Sequence, residues 1–428
     1  RKGQMIIEVT DALGISVPRF CYHKKLSIAA NCRMCMVEVE KVPKPLPACA
    51  TPVTEGMKIF THSDLARGAQ KGVMEFLLIN HPLDCPICDQ GGECELQDIA
   101  LGYGGDVTRF AEKKRVVKDK YLGSLIATDM TRCIHCTRCI RMLREVAGKM
   151  ELGATGRGEN MEIGTYIETS LESELSGNVI DVCPVGALTS RPFRFKARAW
   201  ELQQHSTIAP HDCVGSNLFA HTRRGQVMRV VPRENEDLNE VWLSDRDRFS
   251  YQGLYSEDRL QAPMVKADGE WQTVDWETGL QAAVDATRAV IDAHGADQLG
   301  VLVSPSATLE EMSLLQALAR GLGVNNIDHR LRQVDFSDQD TAPLCPTLGQ
   351  PLAALEHVDA ALVIGGNPRK DQPIIGHRLR KAATAGAQVM FVNPLDYEFL
   401  FDVHAKSIVP PAQMVDALAA VASCFPDA

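Results

Sequence analysis

The chain has 428 residues, 45% hydrophobic and 23% charged, a composition typical of a globular protein with several domains. Its formal net charge of −10 argues against nucleic acid as the main partner. No apolar run reaches the roughly 18 residues of a membrane span. The chain begins at Arg1 without a methionine and ends at Ala428 just after an amphipathic stretch, so we expect a fragment at both ends.

The first predicted elements surround a loop rich in cysteine. "MIIEVTDALGI" has helical spacing, whereas "CMVEVEKV" and "GMKIFTHS" read as short strands. Between Cys21 and Cys35 we expect an irregular loop. Ligation from such a loop suits a two-iron cluster, because backbone N–H groups must point at the sulfur atoms. The C-x10-C-x2-C-x13-C pattern also contains Cys32 and Cys49, and four thiolates at zinc remain the alternative.

The cysteines are unevenly distributed along the chain. Eleven of the 14 fall between Cys21 and Cys183, which favours metal ligation in a reduced compartment over a disulfide scaffold. A second group follows at Cys85, Cys88 and Cys94, one ligand short of four. His81, four residues before Cys85, is the candidate for the missing ligand. A surface position or a hydrogen bond to a ligand is the alternative role for this histidine.

The third group, in "TRCIHCTRCIR", has the C-x2-C-x2-C spacing of a bacterial four-iron ferredoxin, a much more specific signal than one C-x-x-C pair. The ferredoxin run would place a fourth cysteine at position 143, where this chain has Leu143. "CPVG" supplies Cys183, but the positions that would complete a second cluster are Ser173, Ser176 and Val179. The segment therefore reads as a ferredoxin that has kept one cluster, with four ligands: Cys133, Cys136, Cys139 and Cys183.

One basic run and the second half of the chain complete the pattern. Residues 109–120 form a basic run, which is either a solvated surface segment or a docking strip for an acidic protein.

From about residue 263, "LGVLVSPS" and "DAALVIGGNP" read as strands, the latter buried, and "TLEEMSLLQALARGLG" reads as a helix with a capping box. "IIGHRLRKAATAGA" and "QVMFVNP" continue as helix and strand, which predicts a parallel sheet. "GGNP" is either a tight turn or a phosphate or pterin cradle.

These motifs together resemble the N-terminal portion of the large iron–sulfur subunit (the G subunit) of respiratory complex I, NADH-quinone oxidoreductase. The resemblance is carried by "FCYHKKLSIAANCRMCMVEV", "NHPLDCPICDQGGECELQD", "TRCIHCTRCIR", "SGNVIDVCPVGALTS" and "NIDHRLRQ". It implies one [2Fe-2S] cluster and two [4Fe-4S] clusters. Their expected ligands are Cys21, Cys32, Cys35 and Cys49; His81, Cys85, Cys88 and Cys94; and Cys133, Cys136, Cys139 and Cys183.

The resemblance also implies an α+β chain of several domains. These are a [2Fe-2S] ferredoxin-like β-grasp domain (1–65), a [4Fe-4S] domain with one histidine and three cysteine ligands (66–120), a one-cluster ferredoxin-like module (121–205), a degenerate Mo/W-type cluster domain (206–262) and a partial molybdopterin-oxidoreductase-like α/β domain (263–428). Cys213 is present in the fourth region, but Ser216 and Ser244 stand where further cysteines are expected. We therefore predict no fourth cluster. No cysteine suits molybdenum either, so we predict no molybdenum cofactor.

The expected function is electron relay from NADH, through a flavoprotein subunit, toward quinone, coupled in the whole complex to proton translocation. Partners would be the flavoprotein and ferredoxin-like iron–sulfur subunits of a peripheral arm. This arm would lie on the cytoplasmic side of the cell membrane, or on the matrix side in a mitochondrion. No catalytic residue is expected in the chain itself, and a molybdenum-dependent formate dehydrogenase is the main alternative. The sequence assigns no role to Cys213, Cys345 or Cys424.

Overall fold

The structure is a computed structural model that describes residues 3–330, 334, 336–337, 339–344 and 347–424. The chain divides into two compact units. The first consists of Arg1–Ala209, Val214–Phe249 and Pro351–Ala428, and the second of Pro210–Cys213 and Ser250–Gln350. All twelve predicted cluster ligands lie in the first unit.

The N-terminal part of the first unit is a small sheet packed against one helix. Helix α1 (Ile6–Ala12) precedes three antiparallel strands in the order β2-β1-β3; these are β1 (Met36–Val39), β2 (Leu46–Pro47) and β3 (Ile59–Phe60). Ile6 and Ile7 of α1 pack with Val37 of β1 in a core that also contains Cys35 and Cys49. The helix, both strands and the irregular Cys21–Cys35 loop are confirmed.

Two helices flank the second ligand group. Helix α2 (Asp64–Leu78) begins at Ser63, whose hydroxyl accepts a hydrogen bond from the Ala66 amide. Helix α3 (Glu95–Tyr103) begins directly after Cys94. The basic run that follows has no helix or strand, and several of its cations are engaged within the chain. Lys114 donates to the carbonyls of Leu78 and Ile79 at 2.9 and 2.8 Å, which ties the run to the end of α2.

The third ligand group sits in a module of short elements. Its strands are β4 (Ile126–Thr128), β5 (Gly153–Thr155), β6 (Glu162–Gly164) and β7 (Leu188–Ser190), with β4 antiparallel to β7 and β5 antiparallel to β6. Its helices are α4 (Arg138–Met142), extended by a π-helical turn (Leu143–Ala147), and α5 (Asn178–Val182). Leu143 and Val179, at positions where a two-cluster ferredoxin has ligands, are fully buried in the main core. Apolar packing thus takes the place of those two thiolates.

A three-stranded antiparallel sheet follows, in the order β10-β9-β8. Its strands are β8 (Gln203–Ile208), β9 (Asn217–Arg223) and β10 (Gln226–Pro232), and helix α6 (Asp245–Phe249) comes after them. Trp242, between β10 and α6, is buried in the same core as the third ligand group. This region is therefore packed into the cluster-bearing part of the chain.

In its described residues, the second unit contains a hairpin and a parallel strand pair. The hairpin joins β11 (Met264–Ala267) and β12 (Glu270–Thr273), and the parallel pair is β13 (Gly300–Leu302) with β14 (Asn326–Asp328). Its helices are α7 (Trp276–His294) and α8 (Leu309–Gly321). The predicted capping box is confirmed: Thr308 accepts from the Glu311 amide, and Glu311 accepts from the Thr308 amide. Cys345 and the end of "NIDHRLRQ" lie outside the described residues.

The chain returns to the first unit with a parallel sheet of order β15-β16-β17, which confirms the predicted strand–helix–strand pattern. The strands are β15 (Ala360–Ile364), β16 (Gln388–Asn393) and β17 (Ala405–Ile408), and the helices are α9 (Pro368–Asp371), α10 (Pro373–Ala385) and α11 (Met414–Ala422). The prediction of a buried β15 is wrong. This strand lies at the sheet edge, and Leu362 and Ile364 on one face are exposed, because the described chain covers only its other face.

Candidate metal centres

The first predicted ligand set converges on one buried point. Hydrogen bonds from the thiols of Cys32 and Cys49 lower the pKa of Cys21, and a hydrogen bond from Cys49 lowers that of Cys35. The four sulfur atoms are therefore linked by hydrogen bonds in one group, and all four residues are buried. Four buried thiols facing one another, with two of them favoured as thiolates, are a donor set suited to soft metal ions.

The loop around this set turns its backbone toward the sulfur atoms. Ala30 and Arg33 both have positive φ angles, 53° and 58°, a conformation that non-glycine residues adopt rarely. The Cys21 amide donates to the Cys32 Sγ at 3.4 Å. Amide–sulfur hydrogen bonds are one of the means by which proteins adjust cluster potentials. The unusual backbone of the loop thus serves an arrangement that an iron–sulfur cluster requires.

The second set lines a single cavity of about 120 Å³. Its walls include all four predicted ligands, His81, Cys85, Cys88, Cys94, together with apolar contributions from Leu78, Leu96 and Ala100. Cys88 and Cys94 are buried, whereas Cys85 is exposed. The structure therefore places the histidine and the three cysteines around one partly open cavity, the grouping expected from the incomplete cysteine count.

His81 is in the state that a metal ligand requires. Burial, with help from the charges of Lys114 and Arg132, lowers the pKa of His81 to about 4, so the imidazole is neutral at pH 7. Its Nδ1 atom is buried without a protein partner. A neutral imidazole with an unpartnered nitrogen in the cavity is able to bind a metal ion.

The third set is held by a loop and two helix ends. Cys133 and Cys136 lie in the loop, Cys139 lies in α4, and Cys183 is the residue that ends α5. Burial raises the pKa of both Cys133 and Cys136 to about 12, and nearby thiols add to the effect. Without a compensating cation these residues are therefore neutral thiols, and they would become thiolates on binding iron.

Two left-handed residues shape this loop between its cysteines. His135 and Thr137 have φ angles of 55° and 61°. The turn at His135 directs its amide to the Cys133 Sγ at 3.4 Å. The imidazole of His135 contacts the Arg115 guanidinium at 3.2 Å, so this second histidine of the region is engaged away from the ligand role.

Sequence reasoning missed three arginines that surround the third set. Arg132, Arg138 and Arg141 are all buried, although arginine is rarely buried without partners. Arg132 donates to the Asp84 carboxylate at 3.1 Å and to the Gly186 carbonyl at 3.4 Å. The signal was present in "TRCIHCTRCIR", where arginine alternates with the ligands, but its spacing alone does not indicate burial.

Serines occupy the positions of the absent ligands. Ser173, Ser176, Ser216 and Ser244 are all buried. The Ser176 hydroxyl donates to the Asp245 Oδ2 at 2.6 Å, and the Gly177 amide donates to the Oδ1 atom at the same distance. Cys213 is exposed. Around Ser176, hydrogen bonds thus occupy the place where a second ferredoxin cluster would have its cysteine ligands.

Five protein-family models match the chain in succession. They are the 2Fe-2S iron-sulfur cluster binding domain (residues 1–64), the NADH-ubiquinone oxidoreductase-G iron-sulfur binding region (70–109), the NADH-quinone oxidoreductase subunit 3 ferredoxin-like domain (123–189), the NADH-ubiquinone oxidoreductase NDSU1/NuoG-like 4Fe-4S domain (202–252) and molybdopterin oxidoreductase (259–422). The chain is therefore an α+β protein with binding domains for both cluster types.

Among solved structures, an NAD⁺-reducing [NiFe]-hydrogenase in its H₂-reduced state is similar at 26% identity and a TM-score of 0.40, over 46% of this chain and 84% of that chain. Among curated proteins, the G subunit of NADH-quinone oxidoreductase from Rickettsia bellii is 46% identical over 90% of this chain and 56% of its own length. The NADH-ubiquinone oxidoreductase 75 kDa subunit of Reclinomonas americana is 46% identical, with 90% and 57% covered. The mitochondrial NADH dehydrogenase iron-sulfur protein 1 of Solanum tuberosum is 48% identical, with 92% and 53% covered.

The chain thus spans about half the length of the curated relatives it matches. The similarity nevertheless extends over nine tenths of the chain itself, at an identity near one half. With the succession of matching iron–sulfur domains, this similarity shows that the chain belongs to the family of the NADH-quinone oxidoreductase G subunit and its 75 kDa counterparts.

Proposed function

We propose that this chain is an electron-transfer segment that holds one [2Fe-2S] cluster and two [4Fe-4S] clusters. The observation that carries the proposal is the cavity lined together by His81, Cys85, Cys88 and Cys94, because it gives the second set a fourth candidate ligand. When bound, the clusters supply one-electron acceptor and donor sites. The twelve ligand residues, grouped as predicted from the sequence, would hold them.

Contacts between the ligand sets support a relay. The Sγ atom of Cys94, in the second set, lies 3.7 Å from the carbonyl oxygen of Pro184, next to Cys183 of the third set. The side chain of Asn31, next to Cys32 of the first set, donates to the His135 carbonyl at 3.0 Å, between Cys133 and Cys136. Each site therefore has a neighbour that it reaches through one residue, which is the arrangement an electron path needs.

The chain's own residues would control access and potential. The ligands are mostly buried, which keeps water away from the clusters. A neutral His81 in place of a thiolate removes one negative charge from the second site. That substitution favours the reduced form and raises the potential, the direction known from Rieske centres. No acid–base or nucleophilic side chain is required for this function.

We further propose that the electrons originate from NADH, arrive through a flavoprotein partner and leave toward quinone, with proton translocation in the assembled complex. The names of the relatives support this proposal, since they are subunits of NADH-quinone or NADH-ubiquinone oxidoreductases. Neighbouring iron–sulfur subunits would be the other partners. In the described part of the chain, no helix has the length and apolarity to cross a membrane. A peripheral arm on the cytoplasmic or matrix side is the proposed location.

The region from β8 to α6 and the α/β sheets would bind neither a fourth cluster nor molybdenum. Only Cys213 stands in the 202–252 region matched by a 4Fe-4S domain, with buried serines at positions 216 and 244. The molybdopterin-like region would then serve as a scaffold. A molybdenum-dependent catalytic subunit, the alternative function, predicts the opposite metal content.

Metal analysis and electron paramagnetic resonance test the proposal. The chain, purified and loaded anaerobically with iron and sulfide, should contain about ten irons and no molybdenum, with one two-iron and two four-iron signals on reduction. Stoichiometric molybdenum with formate oxidation would contradict it. A colourless, zinc-loaded chain that gives no signal after loading would contradict it as well.

A further inference from the structure

Two buried arginines of α4 reach well beyond the ligand set to which their helix belongs. Arg138 precedes Cys139 and Arg141 follows it by two residues, and both side chains are about 95% buried. Buried guanidinium groups require hydrogen-bond partners on most of their five donors. The hydrogen-bond partners of Arg138 and Arg141 include residues in or next to the ligand sets of all three predicted clusters.

Arg138 contacts a residue adjacent to a ligand of every predicted cluster. Its Nη2 donates to the carbonyl of Tyr22, which follows Cys21 of the first set, at 2.9 Å. Its Nη1 donates to the carboxylate of Glu95, which follows Cys94 of the second set, at 2.8 Å. The same nitrogen lies 3.4 Å from the carbonyl of Val182, which precedes Cys183 of the third set.

Arg141 makes hydrogen bonds to the loops of the first and third ligand sets. Its Nη2 donates to the carbonyl of Cys21, in the first set, and at 3.2 Å to that of Cys136, in the third. Its Nη1 donates to the carbonyl of Ser27, within the first loop, and its Nε to the Thr137 hydroxyl at 3.3 Å, within the third. In the described part of the chain, these hydrogen bonds join the first and third loops and leave out the second.

We propose that Arg138 and Arg141, the α4 arginine pair, are positioning residues that join the cluster loops and raise the potentials of the clusters they join. Arg138 acts on all three clusters and Arg141 on the first and third. A fixed positive charge beside an anionic cluster favours the added electron, and buried sites transmit this effect with little screening. Glu95 offsets part of the Arg138 charge; Arg141 is bonded to neutral oxygens.

The test is a redox titration of the cluster-loaded chain, followed by electron paramagnetic resonance at each potential. This proposal rests on the proposed function, so the wild-type chain must first show three clusters. The variants are Arg138→Gln, Arg138→Lys and Arg141→Gln. Arg144→Gln is the matched control, because Arg144 lies in the next turn but is exposed, and its side chain pairs with the neighbouring Glu145.

We expect Arg138→Gln to lower the midpoint potentials of all three clusters, and Arg141→Gln to lower those of the first and third only. Arg138→Lys keeps the charge and should cause smaller shifts, while Arg144→Gln should match the wild type. A shift confined to the third cluster in Arg138→Gln, or equal shifts of all three in Arg141→Gln, would overturn the proposal. If Arg138→Gln does not retain clusters, the pattern in Arg141→Gln decides: two shifted clusters support the proposal and three contradict it. A wild-type chain without three clusters would instead overturn the proposed function.

Discussion

The Sγ of Cys88 lies so close to the Cα of Gly186 that a Cβ added to this glycine would stand 2.2 Å from the sulfur. Cys88 belongs to the second ligand set, whereas Gly186 ends the "CPVG" turn that contains Cys183 of the third. The backbone of one predicted site therefore forms the wall of the next. Glycine is needed here for close approach, since no side chain fits between the turn and the sulfur.

Replacing this glycine tests the proximity of the two sites. In Gly186→Ala, the methyl group would displace the Cys88 sulfur, and we expect the chain to lose about four irons and the signal of the second cluster. Iron analysis and spin resonance on the loaded chain measure the result. Gly72→Ala is the control, because an added Cβ in the middle of α2 meets nothing within 4 Å. Full cluster content in Gly186→Ala would show that the two sites are farther apart than described.

Glu240 links the first cluster loop to the C-terminal part of the same unit. Its buried carboxylate contacts Lys25 at 2.6 Å, His377 at 3.0 Å and Lys381 at 3.1 Å. Removing one partner of a buried charged network leaves the others uncompensated. We therefore expect Glu240→Gln to reduce the free energy of unfolding by about 3 kcal/mol, as measured by thermal denaturation.

Glu236 provides a matched control for this substitution. It also pairs with Lys24 and Lys25, but its side chain is half exposed. Exposed ion pairs contribute less than about 1 kcal/mol, so Glu236→Gln should change the melting temperature little. Equal losses in the two variants would mean that the burial of Glu240 adds nothing to the strength of its contacts.

Asp245, the partner of Ser176, predicts a pH dependence of stability. Burial raises the pKa of its carboxyl to about 6, above the value near 4 of an unfolded chain. The folded state then binds this proton more tightly than the unfolded state, so the stabilisation is complete below pH 4 and is lost as the pH rises to 6. We expect the melting temperature of the wild type to fall, relative to that of Asp245→Asn, between about pH 4 and pH 6. A constant difference across this range would contradict the prediction.

The grouping of the candidate ligands into three sets was argued from the sequence, because ligand spacing along a loop reflects local geometry, and the ligand role of each residue stays a prediction. The cysteines of C-x2-C-x2-C must surround one site, and the ferredoxin pattern explains why Cys183 follows so much later. His81 followed from counting, and the structure places it at the same cavity as its three cysteines. The capping box at Thr308 and the parallel strands were predictable for the same reason, since their signals lie within a few residues.

The contacts between the sets were not predictable from one sequence. Arg138 meets Tyr22 and Glu95 across 116 and 43 residues, and no local pattern indicates such a meeting. The prediction that β15 is buried was wrong for a related reason. The apolar run in Ala360–Ile364 indicates a strand that suits two covered faces, but coverage depends on what packs against it.

The central claim is that His81 completes the second cluster, and spin resonance on the wild type and His81→Cys tests it most directly. The chain should be loaded with iron and sulfide, reduced and compared at equal iron content. We predict that His81→Cys retains three clusters, with a changed spectrum and a lower potential for one four-iron cluster only, because thiolate adds a negative charge. An unchanged spectrum and potential for both four-iron clusters would show that His81 is not a ligand.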